Sequence, residues 1–344
     1  MMTMNKIIIL ISTVFILFSC GKDPLEPNTL VPATVDEDTS VPAFEVNNTR
    51  LHLETFGNPD NQVMIFLHGG PGTGDYRSFK RMLNEYNGYK LTDEFYVIMY
   101  DQRGAGLSRR YGNMDDAFFH RIPELTLENY LKDLEGIVEH FSPNQKIILF
   151  GHSWGGMHTI MYVNAHPDKV AAVILSEPGS FNADIENALT LTIASTDLFD
   201  EATNDIYWNH QNISPDDHNT LDYSFLNGFY NGLGPDYFHF SETDILPVFR
   251  FGAVASVNDL GLDGMTEDEI YTFDFTTNLD QFTTKVLFIN GDLNEVLDLE
   301  YQEKNRAFLP NTEMKVLDGV GHDLIWIKPG EHVTLMKAYL DEVL

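Results

Sequence analysis

A serine flanked by glycines, in Gly151-His152-Ser153-Trp154-Gly155, and the run His68-Gly69-Gly70-Pro71-Gly72 upstream are the residues of this chain best suited to chemistry. Glycines two positions either side of a serine suit a nucleophile raised on a sharp strand-to-helix turn, where a neighbouring Cβ would collide. Such a turn leaves the Trp154 amide at a helix N-terminus, where unpaired N–H groups and the helix dipole favour negative charge. The chemistry this suggests is acyl transfer. Ser153 attacks a carbonyl carbon, a base takes its proton, and the backbone N–H groups of Trp154 and Gly70 hold the oxyanion. The base must come from elsewhere in the chain. His322, in Val320-Gly321-His322-Asp323, is the best placed of the twelve histidines because it follows an apolar run at Met314–Leu317 on a glycine turn.

Those side chains need a scaffold, and the hydropathy pattern supplies one. Short apolar runs at Arg50–Phe56, Val63–Leu67, Phe95–Tyr100, Lys146–Phe150 and Val170–Leu175 read as strands. Between them, Thr126–Phe141 carries Leu127, Leu131, Leu134, Ile137, Val138 and Phe141 at helical spacing, and Met157–Ala165 continues the elbow as a helix. The pattern resumes with a strand at Lys285–Asn290, a helix near Leu299–Phe308, the Met314–Leu317 strand and a final amphipathic helix to Leu344. Alternation of this kind predicts a mostly parallel sheet with helices on both faces. The rhythm breaks between about 181 and 280, a segment rich in aromatics such as Tyr207, Trp208, Tyr223, Phe225 and Phe240. No Cys/His cluster has metal-ligand spacing, and the pattern implies neither metal nor cofactor.

Three motifs together, His68-Gly-Gly-Pro-Gly72, Asp101-Gln-Arg-Gly104 with Gly106 and Ser108, and Gly151-His-Ser-Trp-Gly155, resemble those of prolyl aminopeptidases (proline iminopeptidases), in the same order. The resemblance covers roughly residues 45–180 well and 285–344 in outline. It implies an α/β-hydrolase fold with a mainly helical cap, residues 181–280, inserted between the sixth and seventh strands of a core formed by 44–180 and 281–344. It also implies a serine peptidase releasing N-terminal residues, proline preferred, and carboxylates, mostly from the cap, that hold the substrate's free amine. The triad order in this fold is serine, acid, histidine. The family pattern after the seventh strand, G-x-x-D, reads here Gly291-Asp292-Leu293-Asn294, so the acid's usual position holds Asn294. An asparagine can orient an imidazole but cannot stabilise its cation by charge. Asp292 is read as the acid, because its loop is the usual source; Glu177 and Glu295 are the other carboxylates in reach. Two further readings use the same residues: an ester, lactone or amide hydrolase, and a catalytically weakened binding lipoprotein. Haloalkane dehalogenase or epoxide hydrolase chemistry is disfavoured, because those enzymes place an aspartate where Ser153 stands.

Composition bounds the partners. The 344 residues carry 52 acidic against 21 basic side chains, a formal net charge of −31, which disfavours nucleic acid and anionic surfaces. Residues 181–280 hold 19 acidic side chains and a single basic one, Arg250. That balance suits a small peptide or other small substrate bearing a free amine. At the N-terminus, Lys6 precedes an apolar run, Ile7–Phe18, too short to span a bilayer, and Leu17-Phe18-Ser19-Cys20 resembles a bacterial lipobox. The expectation is a signal peptide over residues 1–20 and lipidation of Cys20. A flexible tether over 21–43, rich in Pro, Thr and acids, would then link an exported enzyme to the bilayer, at the periplasmic face or the cell surface.

Overall fold

A computed structural model describes residues 31–193, 215–232, 250–258 and 271–344. Eight strands form one sheet: β1 (Ala43–Val46), β2 (Thr49–Phe56), β3 (Gln62–Leu67), β4 (Phe95–Tyr100), β5 (Ile147–His152), β6 (Val170–Ser176), β7 (Val286–Gly291) and β8 (Thr312–Leu317). Their spatial order is β1-β2-β4-β3-β5-β6-β7-β8. The β1–β2 and β2–β4 pairs are antiparallel, and every pair from β4 onward is parallel. β1 carries no strong apolar signal and was not foreseen; the other seven strands match the expected runs to within about two residues.

Strand alternation builds a core on each face of the sheet. In β3, Val63, Ile65 and Leu67 join one cluster, while Met64 and Phe66 join the other. Near-continuous apolar strands are what a sheet covered on both sides requires. The first face is covered by α2 (Leu127–Phe141) and α3 (Trp154–Ala165), which follow the short helix α1 (Met114–Phe119). Helix α2 begins where Thr126 accepts a hydrogen bond from the Asn129 amide. It buries Tyr130, Leu134, Ile137 and Val138, with Leu127, Leu131 and Phe141 half-buried behind them.

The described parts of the cap lie between β6 and β7: α4 (Ala183–Ile193), α5 (His218–Gly232) and α6 (Ala253–Asn258). Residues 194–214, 233–249 and 259–270 lie outside the described residues. Helix α6 packs on α1 and α5, with Phe225 half-buried in that cluster and Tyr223 exposed. Most of the other aromatics expected to shape the cap fall outside the described residues. After β7 come α7 (Leu299–Arg306), the short turn α8 (Leu324–Ile327) and α9 (Pro329–Val343). The second face of the sheet is covered by the 3₁₀ segment Tyr76–Leu83 together with α8 and α9. Among the described residues no helix is long and apolar enough to cross a membrane.

The expected tether is corrected in its second half. Residues 31–35 are packed on the core and the exposed Asp36 and Glu37 are tied down by ion pairs, because composition averaged over the stretch hides two valines that are buried. Val31 and Val35 are buried, and the Val35 amide donates to Leu107 O at 2.8 Å. The carboxylate of Asp36 meets Arg50 at 2.8 Å and Arg109 at 2.7 Å. Glu37 reaches into the cap, 2.9 Å from Arg250. Arg250, the single basic residue of the cap, is fully buried. It pairs with buried Asp222 at 2.8 Å, which Arg110 from the core also contacts at 3.0 Å. Residues 1–30, with the expected signal peptide and Cys20, lie outside the described residues.

Candidate active site

The elbow forms where β5 meets α3. Ser153 has φ 54° and ψ −122°, a region that a residue with a side chain enters only under strain, of order 1–3 kcal/mol. Its surroundings hold it there. A Cβ on Gly155 would lie 1.9 Å from Leu67 O, so only glycine lets α3 approach β3 this closely. Trp154 opens α3, where its amide has no partner within the helix. A Cβ on Gly69 would lie 3.1 Å from that of Ser153, which places the His68–Gly72 loop directly beside the serine.

Gln102 ties the three sequence motifs together. Its amide donates to His68 Nε2 at 2.9 Å and its side chain donates to His68 O at 2.7 Å. Its Oε1 accepts from Trp154 Nε1 at 2.9 Å and lies 3.0 Å from His158 Nδ1. Neighbouring Asp101 braces the adjacent loops, accepting from the Tyr76 amide at 2.9 Å and the Leu107 amide at 2.7 Å. Arg103 is held by Asp133 at 2.6 and 2.7 Å, both buried. The role of His158 is thus structural: its ring nitrogens lie 3.0 Å from Gln102 Oε1 and from Tyr130 O, the neutral ring donating to one of them, and burial holds its pKa down at about 3.

His322 sits on the loop after β8, 4% exposed, and its ring packs on that of His152 with centroids 4.5 Å apart. That contact sets the imidazole against the elbow. His152 is fixed by its Nδ1 at 3.0 Å from Ser176 O, a carbonyl that also accepts from the Ser153 amide at 3.1 Å. Burial, reinforced by neighbouring His322 and His332, pushes His152 well below the ordinary histidine range. The ring stacked on His322 is therefore uncharged.

The carboxylate that meets His322 belongs to Glu177, not to Asp292. Glu177 Oε2 lies 2.8 Å from His322 Nδ1, and both side chains are buried. The Asp292 assignment is corrected for a geometric reason. Its amide continues the β7–β8 ladder to Leu317 O, and its exposed side chain turns outward to accept from the amides of Gly319 at 2.5 Å and Val320 at 3.4 Å. Glu295 is exposed. Asn294 faces inward, its Nδ2 2.8 Å from Glu177 Oε2 and 3.4 Å from His322 Nδ1.

Register explains the place of Glu177. His152 and Ser176 are paired across β5 and β6, so Ser153 and Glu177 are the first residues past the ends of adjacent strands. Glu177 also has positive φ, 41°, and its amide donates to Ile289 O at 3.1 Å. Helix α7 clamps the loop that follows. Gln302 donates to Pro178 O at 3.0 Å, Asn305 donates to Gly179 O at 3.0 Å and accepts from the Phe181 amide at 3.1 Å. The Gly179 amide returns to Ser153 O at 3.1 Å. The sequence marks Asn294 as the occupant of the acid's usual position and Gln102 as part of the Asp101–Gly104 motif, but not the hydrogen bonds by which each organises the site. The signal for Gln102 is its place inside the Asp101–Gly104 motif. Among the described residues no group of three or more His, Cys, Asp or Glu side chains could hold a metal ion.

The comparisons agree with this architecture. A family model for the alpha/beta hydrolase fold matches residues 62–329. The chain belongs to the α/β-hydrolase fold family. A proline iminopeptidase from Arabidopsis thaliana is 34% identical over 126 residues, 36% of this chain and 29% of that protein. The chain thus matches under a third of that relative's length. A proline iminopeptidase from Lactobacillus helveticus is 28% identical over 284 residues, 81% of this chain and 90% of the relative. The crystal structure of a proline iminopeptidase from Mycobacterium smegmatis superposes with a TM-score of 0.57, covering 87% of this chain and 97% of the other. At 17% identity that likeness shows the fold alone. Fold and relatives together support a hydrolase.

Proposed function

We propose that this α/β-hydrolase is a serine aminopeptidase that releases N-terminal residues, proline preferred, from peptides. The observation that carries the reading is the 2.8 Å contact between His322 Nδ1 and Glu177, beside a serine held at the strained elbow. Ser153 Oγ attacks the carbonyl carbon of the first residue while its proton passes to His322 Nε2. Glu177 accepts the Nδ1 hydrogen bond, fixing the tautomer and offsetting the imidazolium that forms. The amides of Gly70 and Trp154 receive the oxyanion, each such donor being worth about 3–4 kcal/mol in the transition state. The imidazolium then gives its proton to the departing amine. Water, activated by the same histidine, releases the acyl group from Ser153.

The preference for a free amine is supported by charge, with 19 acidic side chains in residues 181–280, and by the proline iminopeptidases the chain is similar to. A substrate ammonium leaving water requires carboxylates to pair with it. On the same reading the protein is exported and anchored through lipid on Cys20. The test compares hydrolysis of prolyl and other aminoacyl arylamides with their N-acetylated forms and with simple aryl esters, using the full chain in detergent. Turnover of prolyl arylamide that disappears on N-acetylation is expected. Ester cleavage indifferent to a free amine would replace the aminopeptidase by an esterase, and failure of a fluorophosphonate to label Ser153 would remove the serine mechanism.

A further inference from the structure

Asn294 stands where the family places its acid, yet it is neither idle nor turned away. It is 4% exposed, and its orientation is fixed by its backbone neighbours. Oδ1 accepts from the amides of Val296 at 3.0 Å and Leu297 at 2.9 Å, so the amide cannot flip without facing two N–H groups with its own NH₂. Nδ2 must then point at Glu177 Oε2, 2.8 Å away. That oxygen accepts from both Asn294 and His322, while Oε1 accepts from the Gly291 amide at 2.8 Å. The carboxylate is held by three donors, of which the Asn294 amide lies 3.4 Å from His322 Nδ1 itself.

We propose that Asn294 is the positioning residue of Glu177, and that the two form an exchangeable pair. A carboxylate at either position with an amide at the other can serve His322 Nδ1. The proposal rests on the reading of Glu177 as the triad acid. In Glu177→Gln/Asn294→Asp, one oxygen of residue 294 keeps the Val296 and Leu297 amides. The other takes the place of Nδ2, accepting from His322 Nδ1 and from the new amide at 177. Charge and donor count are unchanged. Asn294→Asp alone would instead set two carboxylates 2.8 Å apart, which cannot both stay ionised without large cost.

The experiment follows the full chain with two readouts: the rate of fluorophosphonate labelling of Ser153, and the hydrogen-bonded Nδ1 proton of His322 in the NMR spectrum, assigned by its loss in His322→Gln. Glu177→Gln should slow labelling by about 10⁴-fold and remove the resonance. The double variant should restore the resonance and recover at least about 100-fold of the rate. Asn294→Ala should slow labelling by roughly 10- to 100-fold at saturating probe, with the half-saturating concentration unchanged. A double variant that melts like the wild type yet shows neither resonance nor recovery overturns the exchange. Should the double variant fail to fold, wild-type labelling and resonance in Asn294→Ala overturn it instead. If the resonance follows the expected pattern but no protein labels, the exchange stands and the serine-hydrolase reading falls; if Glu177→Gln labels like the wild type, both fall.

Discussion

Ser153 and His322, nucleophile and base of the proposed mechanism, stand out in the sequence because each sits in a local pattern: glycines around the serine, a strand and glycine turn before the histidine. The acid could not. Asp292, Glu177 and Glu295 all follow strands closely, and what separates them is which way each side chain points. That direction is set by ladder register and by tertiary hydrogen bonds, neither of which is written in local composition. Asp292 continues the ladder and turns outward, while Glu177 follows β6, one residue after the Ser176–His152 pair. Asp292→Asn is accordingly expected to keep turnover within about threefold of wild type, since such an exposed contact is worth about 1 kcal/mol or less. Steady-state kinetics on aminoacyl arylamide would check this, and a loss of several hundredfold would restore Asp292 as the acid.

At the level of elements, the strands and α2 were legible because two-sided burial and helical periodicity leave strong signals, whereas the links between loops were not. Gln102 is one such link, joining the strand β4 exit, the His68 loop and the start of α3 through one fully buried side chain. Gln102→Ala leaves the indole N–H of Trp154 without its acceptor and the His68 carbonyl without the side-chain amide that donates to it. Each buried polar group left unpaired costs about 1–3 kcal/mol, so a loss of roughly 2–4 kcal/mol in urea unfolding is expected. The Trp154 amide would be released with it, so activity should fall further than that destabilisation explains at temperatures where the variant stays folded.

For the whole molecule, composition set the net charge correctly but misjudged where charges are used. Residues 31–42 read as a tether, yet Asp36 and Glu37 are structural ions, and the lone cation of the cap, Arg250, joins three parts of the chain. Arg250→Met removes a partner from the buried Asp222 carboxylate and should destabilise by about 3–5 kcal/mol, measured by thermal or urea melting. Buried histidines add a pH term. Burial holds His332 at about 4, against an ordinary value near 6.5. Between those values the unfolded chain binds a proton that the folded chain refuses. Stability from this residue is therefore complete above about pH 6.5 and is lost as pH falls toward 4. Asp101 acts in the opposite sense, because burial raises its carboxyl to about 6 and the folded chain takes the proton first. His332→Gln should flatten the fall in stability between pH 6.5 and 4 by up to about 1.4 kcal/mol per pH unit. Urea melts at four pH values would read that slope, and an unchanged slope would mean that His332 is not held neutral.

The clamp of residues 31–37 on core and cap also fixes a length. If Cys20 carries lipid, only the eleven residue steps from Cys20 to Val31 separate bilayer from folded enzyme, a contour of at most roughly 40 Å. The protein would then work on a short leash, close to the surface it hangs from. Such a leash would be fastened at both core and cap, through Val35 on Leu107 and Glu37 on Arg250, so drag on a lipid at Cys20 would load the two together.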